Sequence, residues 1–152
     1  MFYFIILLFS YSLIFAAALV IFMIDAKHQI IPDSMLVVML IGVLPHVRLS
    51  YLAVSFCSGL FFYLLWFGTK GRGLGFGDVK LALVMGFLLG HPKALISFYV
   101  AFLTGALWGV ILMIGGRVGM KSKIAFGPFL IIGMFASIFW GDALWQWWVD
   151  ML

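Results

Sequence analysis

Apolar residues fall into six segments that are separated by short polar or glycine-rich stretches. Crossing the roughly 30 Å hydrocarbon layer of a membrane takes about 20 helical residues. Four segments reach that length: residues 2–24, 49–67, 94–116 and about 124–148. The other two, about 34–47 and 79–90, are too short, since the latter spans only about 18 Å at roughly 1.5 Å per residue. We therefore predict an all-α bundle of about six transmembrane helices, with the short second and fourth segments enclosed by the others.

The composition excludes a soluble globular domain. Hydrophobic residues make up 66% of the 152 residues and charged residues only 9%, whereas charged residues form about a quarter of ordinary soluble domains. A soluble fold of this size cannot bury so many apolar side chains. We interpret residues 1–152 as a single membrane domain. Because no Lys or Arg precedes Lys27 and the first apolar run is long, we interpret that run as a retained helix, with a cleaved signal peptide as the alternative.

The distribution of positive charge predicts an orientation. With six crossings, seven basic residues fall on one side of the membrane and two on the other, and the richer side is expected to be cytoplasmic. The seven are Lys27, Lys70, Arg72, Lys80, Arg117, Lys121 and Lys123, against Arg48 and Lys93. Both termini would then lie outside, with an aromatic anchor formed by Trp140, Trp145, Trp147 and Trp148. The net charge of +4 therefore indicates membrane topology, and we expect no nucleic-acid partner.

Three of the five aspartates lie at the ends of apolar segments on the predicted cytoplasmic side: Asp25, Asp33 and Asp78. Acids at a membrane edge are costly and are candidates for function. The alternative is helix capping, because Asp is favoured at helix starts. Capping suits Asp33 and Asp78, which begin the second and fourth segments, but it does not explain Asp25 at the end of the first. The residues alone leave catalysis, ion handling and capping open for Asp78.

Three short motifs surround these acids. Residues 25–33 read Asp-Ala-Lys-His-Gln-Ile-Ile-Pro-Asp, residues 75–81 read Gly-Phe-Gly-Asp-Val-Lys-Leu, and residues 126–130 read Phe-Gly-Pro-Phe-Leu. In this order, on six apolar segments, they resemble the type IV prepilin peptidases, a family of GxGD intramembrane aspartic proteases. Larger members of that family also carry an N-terminal methyltransferase region with paired CxxC motifs. Since Cys57 is the single cysteine, the chain resembles the short, peptidase-only form, and methylation of the product would need another enzyme.

The resemblance implies that Asp25 and Asp78 form a catalytic pair. Such a pair would remove the basic leader of a type IV prepilin or pseudopilin after a glycine, at the cytoplasmic face of the bacterial inner membrane. Peptide hydrolysis needs a base and an acid at one place, and two adjacent carboxyl groups supply both when they share one proton. The mechanism requires no metal and no cofactor. The expected partners are the prepilin substrate and the lipid bilayer, and the oligomeric state is left open.

Several neighbours of the pair are candidates for supporting roles. Asp33 could position the first motif or bind the leader, although we expect helix capping as its main role. Gly75 and Gly77 could take unusual backbone dihedrals and lie against the substrate. Lys80 could tune the charge of Asp78, or it could simply be a lysine at the membrane edge. His28 could relay protons, but we expect a solvated loop histidine.

Other functions remain open at this stage. An archaeal preflagellin peptidase shares the Asp and GxGD arrangement, although the Phe-Gly-Pro-Phe string and the Pro32–Asp33 pair favour the bacterial form. A small proton- or cation-coupled transporter could use Asp25 and Asp78 as carriers. A catalytically inactive scaffold of a pilus or secretion assembly is a third interpretation, and the presence of both acids argues against it.

Overall fold

The computed structural model describes residues 2–115 and 124–151, and within these ranges the regular structure is entirely helical. A single turn of 3-10 helix, Leu44–His46, follows the second α-helix. The six helices are α1 (Phe2–His28), α2 (Asp33–Val43), α3 (Leu49–Gly68), α4 (Phe76–Leu89), α5 (Lys93–Ile114) and α6 (Gly127–Asp150). Four of them, α1, α3, α5 and α6, are long and apolar enough to cross a membrane. The all-α, polytopic membrane architecture is therefore confirmed.

The helix ends differ from the apolar boundaries at functionally important points. Helix α1 continues to His28, so Asp25 lies inside the last turn and not at the end of the helix. Helix α4 begins at Phe76, which makes Asp78 its third residue, and α6 begins only at Gly127. Backbone hydrogen bonding continues across polar residues such as Lys27, so a change in polarity does not mark these ends. Of the residues used to orient the chain, Arg117, Lys121 and Lys123 lie outside the described residues.

Helix α4 forms the centre of the bundle. It contacts α2, α3, α5 and α6, and eight of its fourteen residues are buried. Leu81 and Met85 of α4 are fully buried together with Phe62, Leu130 and Met134. The expectation that the fourth segment is enclosed is therefore confirmed. It is only partly right for α2, which buries the face containing Met39 but exposes Val37 and Ile41.

Glycines allow two pairs of helices to approach closely. A Cβ atom on Gly86 of α4 would lie 2.5 Å from Cα of Ser55 in α3. A Cβ atom on Gly133 of α6 would overlap the carbonyl oxygen of Ser97 in α5. Small residues at such points let membrane helices pack backbone to backbone. These contacts set how closely α3 and α6 can pack against their partners.

The shortness of α4 leaves space at both of its ends. Fourteen helical residues span about 21 Å at roughly 1.5 Å per residue, less than the roughly 30 Å of a hydrocarbon layer. One cavity, of about 330 Å³, lies where α4 begins, and a second, of about 530 Å³, lies where it ends. Arg72 and Lys80 line the first cavity, and Arg48 and Lys93 line the second. Arg72 and Lys80 therefore lie at one end of the bundle, and Arg48 and Lys93 lie at the other. The charge pattern predicts the same two groups.

Candidate active site

The cavity at the start of α4 brings together residues that are distant in sequence. Its wall is formed by the end of α1, the connection to α2, the glycine-rich loop before α4 and the residues that precede α6. Asp25 and Asp78 both line it, and each side chain is almost completely buried, with 4% and 5% exposure. The two carboxyl groups are close enough for the charge of Asp25 to act on Asp78. The predicted meeting of these two acids at one place is therefore found.

Asp78 is held by its own helix start. The backbone N–H of Gly75 donates a hydrogen bond to Oδ2 of Asp78 at 2.8 Å, and the N–H of Asp78 donates to the carbonyl of Gly75 at 3.1 Å. This reciprocal bonding is a helix-capping arrangement. The other carboxyl oxygen, Oδ1, is buried and has no hydrogen-bond partner among the described residues. One oxygen therefore caps the helix, while the other has no hydrogen-bond donor among the described residues.

Asp25 is held by a remote helix start. The backbone N–H of Gly127, the first residue of α6, donates a hydrogen bond to Oδ2 of Asp25 at 2.9 Å. The positive end of the α6 dipole thus faces this carboxylate, which offsets the unfavourable position of an anion near the end of α1. Gly127 also leaves room, since a Cβ atom there would lie 2.6 Å from Oδ2 of Asp25. The site therefore needs both the N–H and the missing side chain of Gly127.

Asp33 and Lys80 form an ion pair at the rim of the cavity. Nζ of Lys80 donates to both carboxylate oxygens of Asp33, at 2.7 and 2.8 Å. The N-cap position of α2 is occupied by Pro32, and no side chain caps that end. The expectation that Asp33 caps the second helix is therefore wrong, because Pro32 takes that position and the Asp33 side chain turns to Lys80. Lys80 pairs with Asp33 and not with Asp78.

The two glycines before Asp78 act through contacts and not through unusual dihedrals. Gly75 has an ordinary extended backbone, with φ of −79° and ψ of 154°, and its part in the site is the N–H that binds Asp78. Gly77 packs against the connection between α1 and α2, because a Cβ atom on Gly77 would lie 2.9 Å from Cβ of Ile31. The conformational reason given for both glycines is therefore wrong. The left-handed backbone conformations of this loop lie earlier, at Lys70 and Gly71, with φ of +52° and +69°.

Two further results concern chemistry other than that of the acid pair. His28 is exposed and does not line the cavity, as expected for a solvated histidine, but it is the last residue of α1 and does not lie in a loop. Within residues 2–115 and 124–151, no cluster of three or more His, Cys, Asp or Glu side chains is arranged to hold a metal ion.

The residue that the sequence interpretation missed is Gly127. Its motif, Phe126-Gly127-Pro128, was visible, but a backbone donor leaves no chemical signature in a sequence.

Comparison with known proteins gives consistent matches. The sequence model of the type IV leader peptidase family matches residues 12–110. A prepilin leader peptidase/N-methyltransferase of Legionella pneumophila is 34% identical over 138 residues, covering 83% of this chain and 48% of that protein. Proteins of the same name from Pseudomonas aeruginosa and Bacillus subtilis are 31% and 29% identical, covering 80% and 62% of this chain and 46% and 38% of their own lengths. No solved structure matches the chain.

The extent of these matches bears on the site. The family match includes Asp25 and Asp78 but ends before Gly127, so the contact from α6 comes from the structure alone. The chain spans about half the length, or less, of these three curated relatives.

Proposed function

Because the chain belongs to the type IV leader peptidase family, we propose that it is an aspartic endopeptidase that removes the leader peptides of type IV prepilins or pseudopilins. The observation that carries this proposal is the pair of buried aspartates on one cavity, with Oδ1 of Asp78 buried and unpartnered among the described residues. Two carboxyl groups that share a low-dielectric cavity and one proton are the arrangement that acid–base hydrolysis of a peptide requires.

The reaction uses the pair as one unit. The ionised carboxylate takes a proton from a water molecule, whose oxygen attacks the scissile carbonyl carbon, while the protonated carboxyl donates its proton to the carbonyl oxygen. The resulting tetrahedral diol collapses: the C–N bond breaks and the leaving nitrogen takes a proton from one carboxyl group. The other, ionised carboxylate takes the proton of one diol hydroxyl as the new carbonyl forms, so the pair again holds one proton. Either aspartate can serve as acid or base in this scheme. The hydrogen bonds from Gly75 and Gly127 keep one oxygen of each carboxyl group fixed, which supports precise orientation.

The rim of the cavity supports a basic leader as the substrate. Asp33 is largely exposed, with 70% of its side-chain surface accessible, and it already holds one cationic side chain, that of Lys80. A Lys or Arg of a leader peptide can replace Lys80 at that carboxylate. In this proposal the cavity opens at the cytoplasmic face of the bacterial inner membrane, and cleavage follows a glycine of the leader.

The test is co-expression with a prepilin and detection of leader removal by immunoblot. We expect Asp25→Asn and Asp78→Asn each to slow cleavage at least about 100-fold, since acid–base catalysis supplies 10²–10⁴-fold. Asp33→Asn should retain part of the activity. Asp150→Asn, at the exposed end of α6, is the matched control and should cleave normally. Cleavage by both active-site variants at the control rate, with normal membrane insertion, would rule out the aspartic mechanism and leave a transporter as the explanation of the acid pair.

A further inference from the structure

The second cavity, at the end of α4, carries chemistry that the acid pair does not use. It has a volume of about 530 Å³, within the roughly 300–1,000 Å³ of small-molecule sites. Tyr11 lines this cavity and Asp25 lines the first, and the two residues are separated by fourteen positions of α1, or about 21 Å along the helix. The second cavity is therefore a separate place in the molecule, at the opposite end of the bundle.

The charges around this cavity favour an anion. Lys93 forms an ion pair with Asp142, which lines the same cavity, at 2.8 Å. These two charges balance each other, so the positive charge of Arg48 remains. Arg48 has no carboxylate partner among the described residues, and its guanidinium lies 5.9 Å from the centre of the Tyr51 ring. The nearby His46 is engaged, because its Nε2 lies 2.8 Å from Oγ of Ser10. An exposed guanidinium that no carboxylate neutralises can bind phosphate oxygens through paired N–H donors.

The position of Tyr51 in this wall depends on a glycine. Gly90 ends α4 with a left-handed φ of +62°, and a Cβ atom there would overlap the Tyr51 ring. The ring of Tyr51 therefore lies directly over the end of α4, where its face supports Arg48. This packing fixes the Tyr51 part of the cavity wall, which the exposed Arg48 side chain contacts.

We propose that this cavity binds the phosphodiester headgroup of an anionic phospholipid, with the guanidinium of Arg48 contacting the phosphate. The surroundings select a lipid over a soluble anion. Tyr3 and Tyr11 form part of the lining and are 67% and 51% exposed, and tyrosines are enriched where a membrane meets water. Ile138 and Leu88 add apolar surface to the same wall, along which the start of an acyl chain can lie. The headgroup fills the space that α4 leaves because it is too short to reach this end.

The test is native mass spectrometry of the purified chain after titration with phosphatidylglycerol or phosphatidylcholine. We expect phosphatidylglycerol to bind at least about tenfold more tightly. Arg48→Gln should remove most of that preference, since one hydrogen bond to a charged group accounts for about a tenfold change or more. Arg48 is exposed and precedes α3 without a side-chain cap, so the variant should keep its helical content. Arg48→Lys keeps the positive charge but lacks the paired N–H donors of a guanidinium, so it should bind phosphatidylglycerol with intermediate affinity.

Two controls make the result decisive. Lys27→Gln removes the same charge from an exposed position at the other end of α1 and should leave lipid binding unchanged. A parallel titration with inorganic phosphate separates the two sources of the anion, and it should compete only weakly. The proposal is overturned if Arg48→Gln binds phosphatidylglycerol like the unmodified chain, if Lys27→Gln weakens binding equally, or if inorganic phosphate displaces the lipid at comparable concentration.

Discussion

Replacing Gly127 by alanine is the sharpest test of how Asp25 is positioned. The substitution adds one methyl group at the first residue of α6, where alanine is an excellent helix former. In the present structure that methyl carbon would lie 2.6 Å from Oδ2 and 3.0 Å from Cγ of Asp25. Nothing else about the charge or polarity of the site changes. A loss of activity can therefore be assigned to the position of the carboxyl group.

The size of the effect follows from this geometry. A separation of 3.4 Å is the lower end of ordinary contact, so the carboxylate must move by about 0.8 Å from its 2.6 Å position. Such a shift lengthens the 2.9 Å hydrogen bond from Gly127 beyond the roughly 3.2 Å limit of good N–H···O geometry. A hydrogen bond to a charged group contributes about 1.5–3 kcal/mol, and a misplacement of about 1 Å at a reacting group can cost about 100-fold in rate. We therefore expect cleavage to slow by about 100-fold.

The assay is the rate of leader removal by purified Gly127→Ala protein in lipid vesicles. Gly109→Ala is the matched control, because its Cβ atom makes only an ordinary 3.5 Å contact with Ile124. Both variants should show the same helical content, and Gly127→Ala should melt about 3–12 °C below Gly109→Ala, as the loss of one such hydrogen bond implies. The reasoning is refuted if folded Gly127→Ala cleaves within about threefold of Gly109→Ala, since a carboxylate displaced by the methyl group should not work at that rate.

Two further pairs of variants test the stability of the fold. Gly133→Ala should lower the thermal midpoint by about 3–10 °C, because its Cβ atom would overlap the carbonyl oxygen of Ser97. Gly68→Ala is the control and should leave the midpoint unchanged, since its Cβ atom would have nothing within 4 Å. Equal midpoints for the two variants would contradict the close packing of α5 against α6. Asp33→Asn and Lys80→Gln should each shift the thermal midpoint by less than about 3 °C, because an exposed ion pair contributes only about 0–1 kcal/mol. A much larger fall in the midpoint, measured by differential scanning fluorimetry, would show that the ion pair also stabilises the fold.

The helices follow from the sequence better than their ends do. Long apolar runs must form helices in a membrane, because every backbone polar group has to be satisfied within the segment. That argument places the four long helices, but it says nothing about where each one stops. Helix α1 includes Lys27 and ends at His28, and α6 begins only at Gly127. These ends are set by local hydrogen bonding and by packing. Both differences fall at the candidate active site, which is why they change its interpretation.

The acid pair could be found from motifs, whereas its supporting contacts could not. Asp25 and Asp78 stand out because a membrane edge makes any acid conspicuous. Asp33 misled the interpretation, because an acid that begins an apolar run normally indicates a cap, and only the structure shows Lys80 opposite its carboxylate. Gly127 contributes a backbone N–H, which every residue except proline possesses. Its importance depends on which carboxylate lies in front of it.

The two aspartates are held in different ways, and this difference has a consequence for the site. Asp78 is bonded to a residue three positions away, within a helix that four others surround, so its place depends mainly on local structure. Asp25 lies on α1, which packs against α2 and α6 but exposes most of its length, and its hydrogen bond comes from 102 residues further along the chain. The geometry of the pair therefore depends on how α6 docks against α1. Whatever shifts the start of α6 moves one carboxyl group and leaves the other in place.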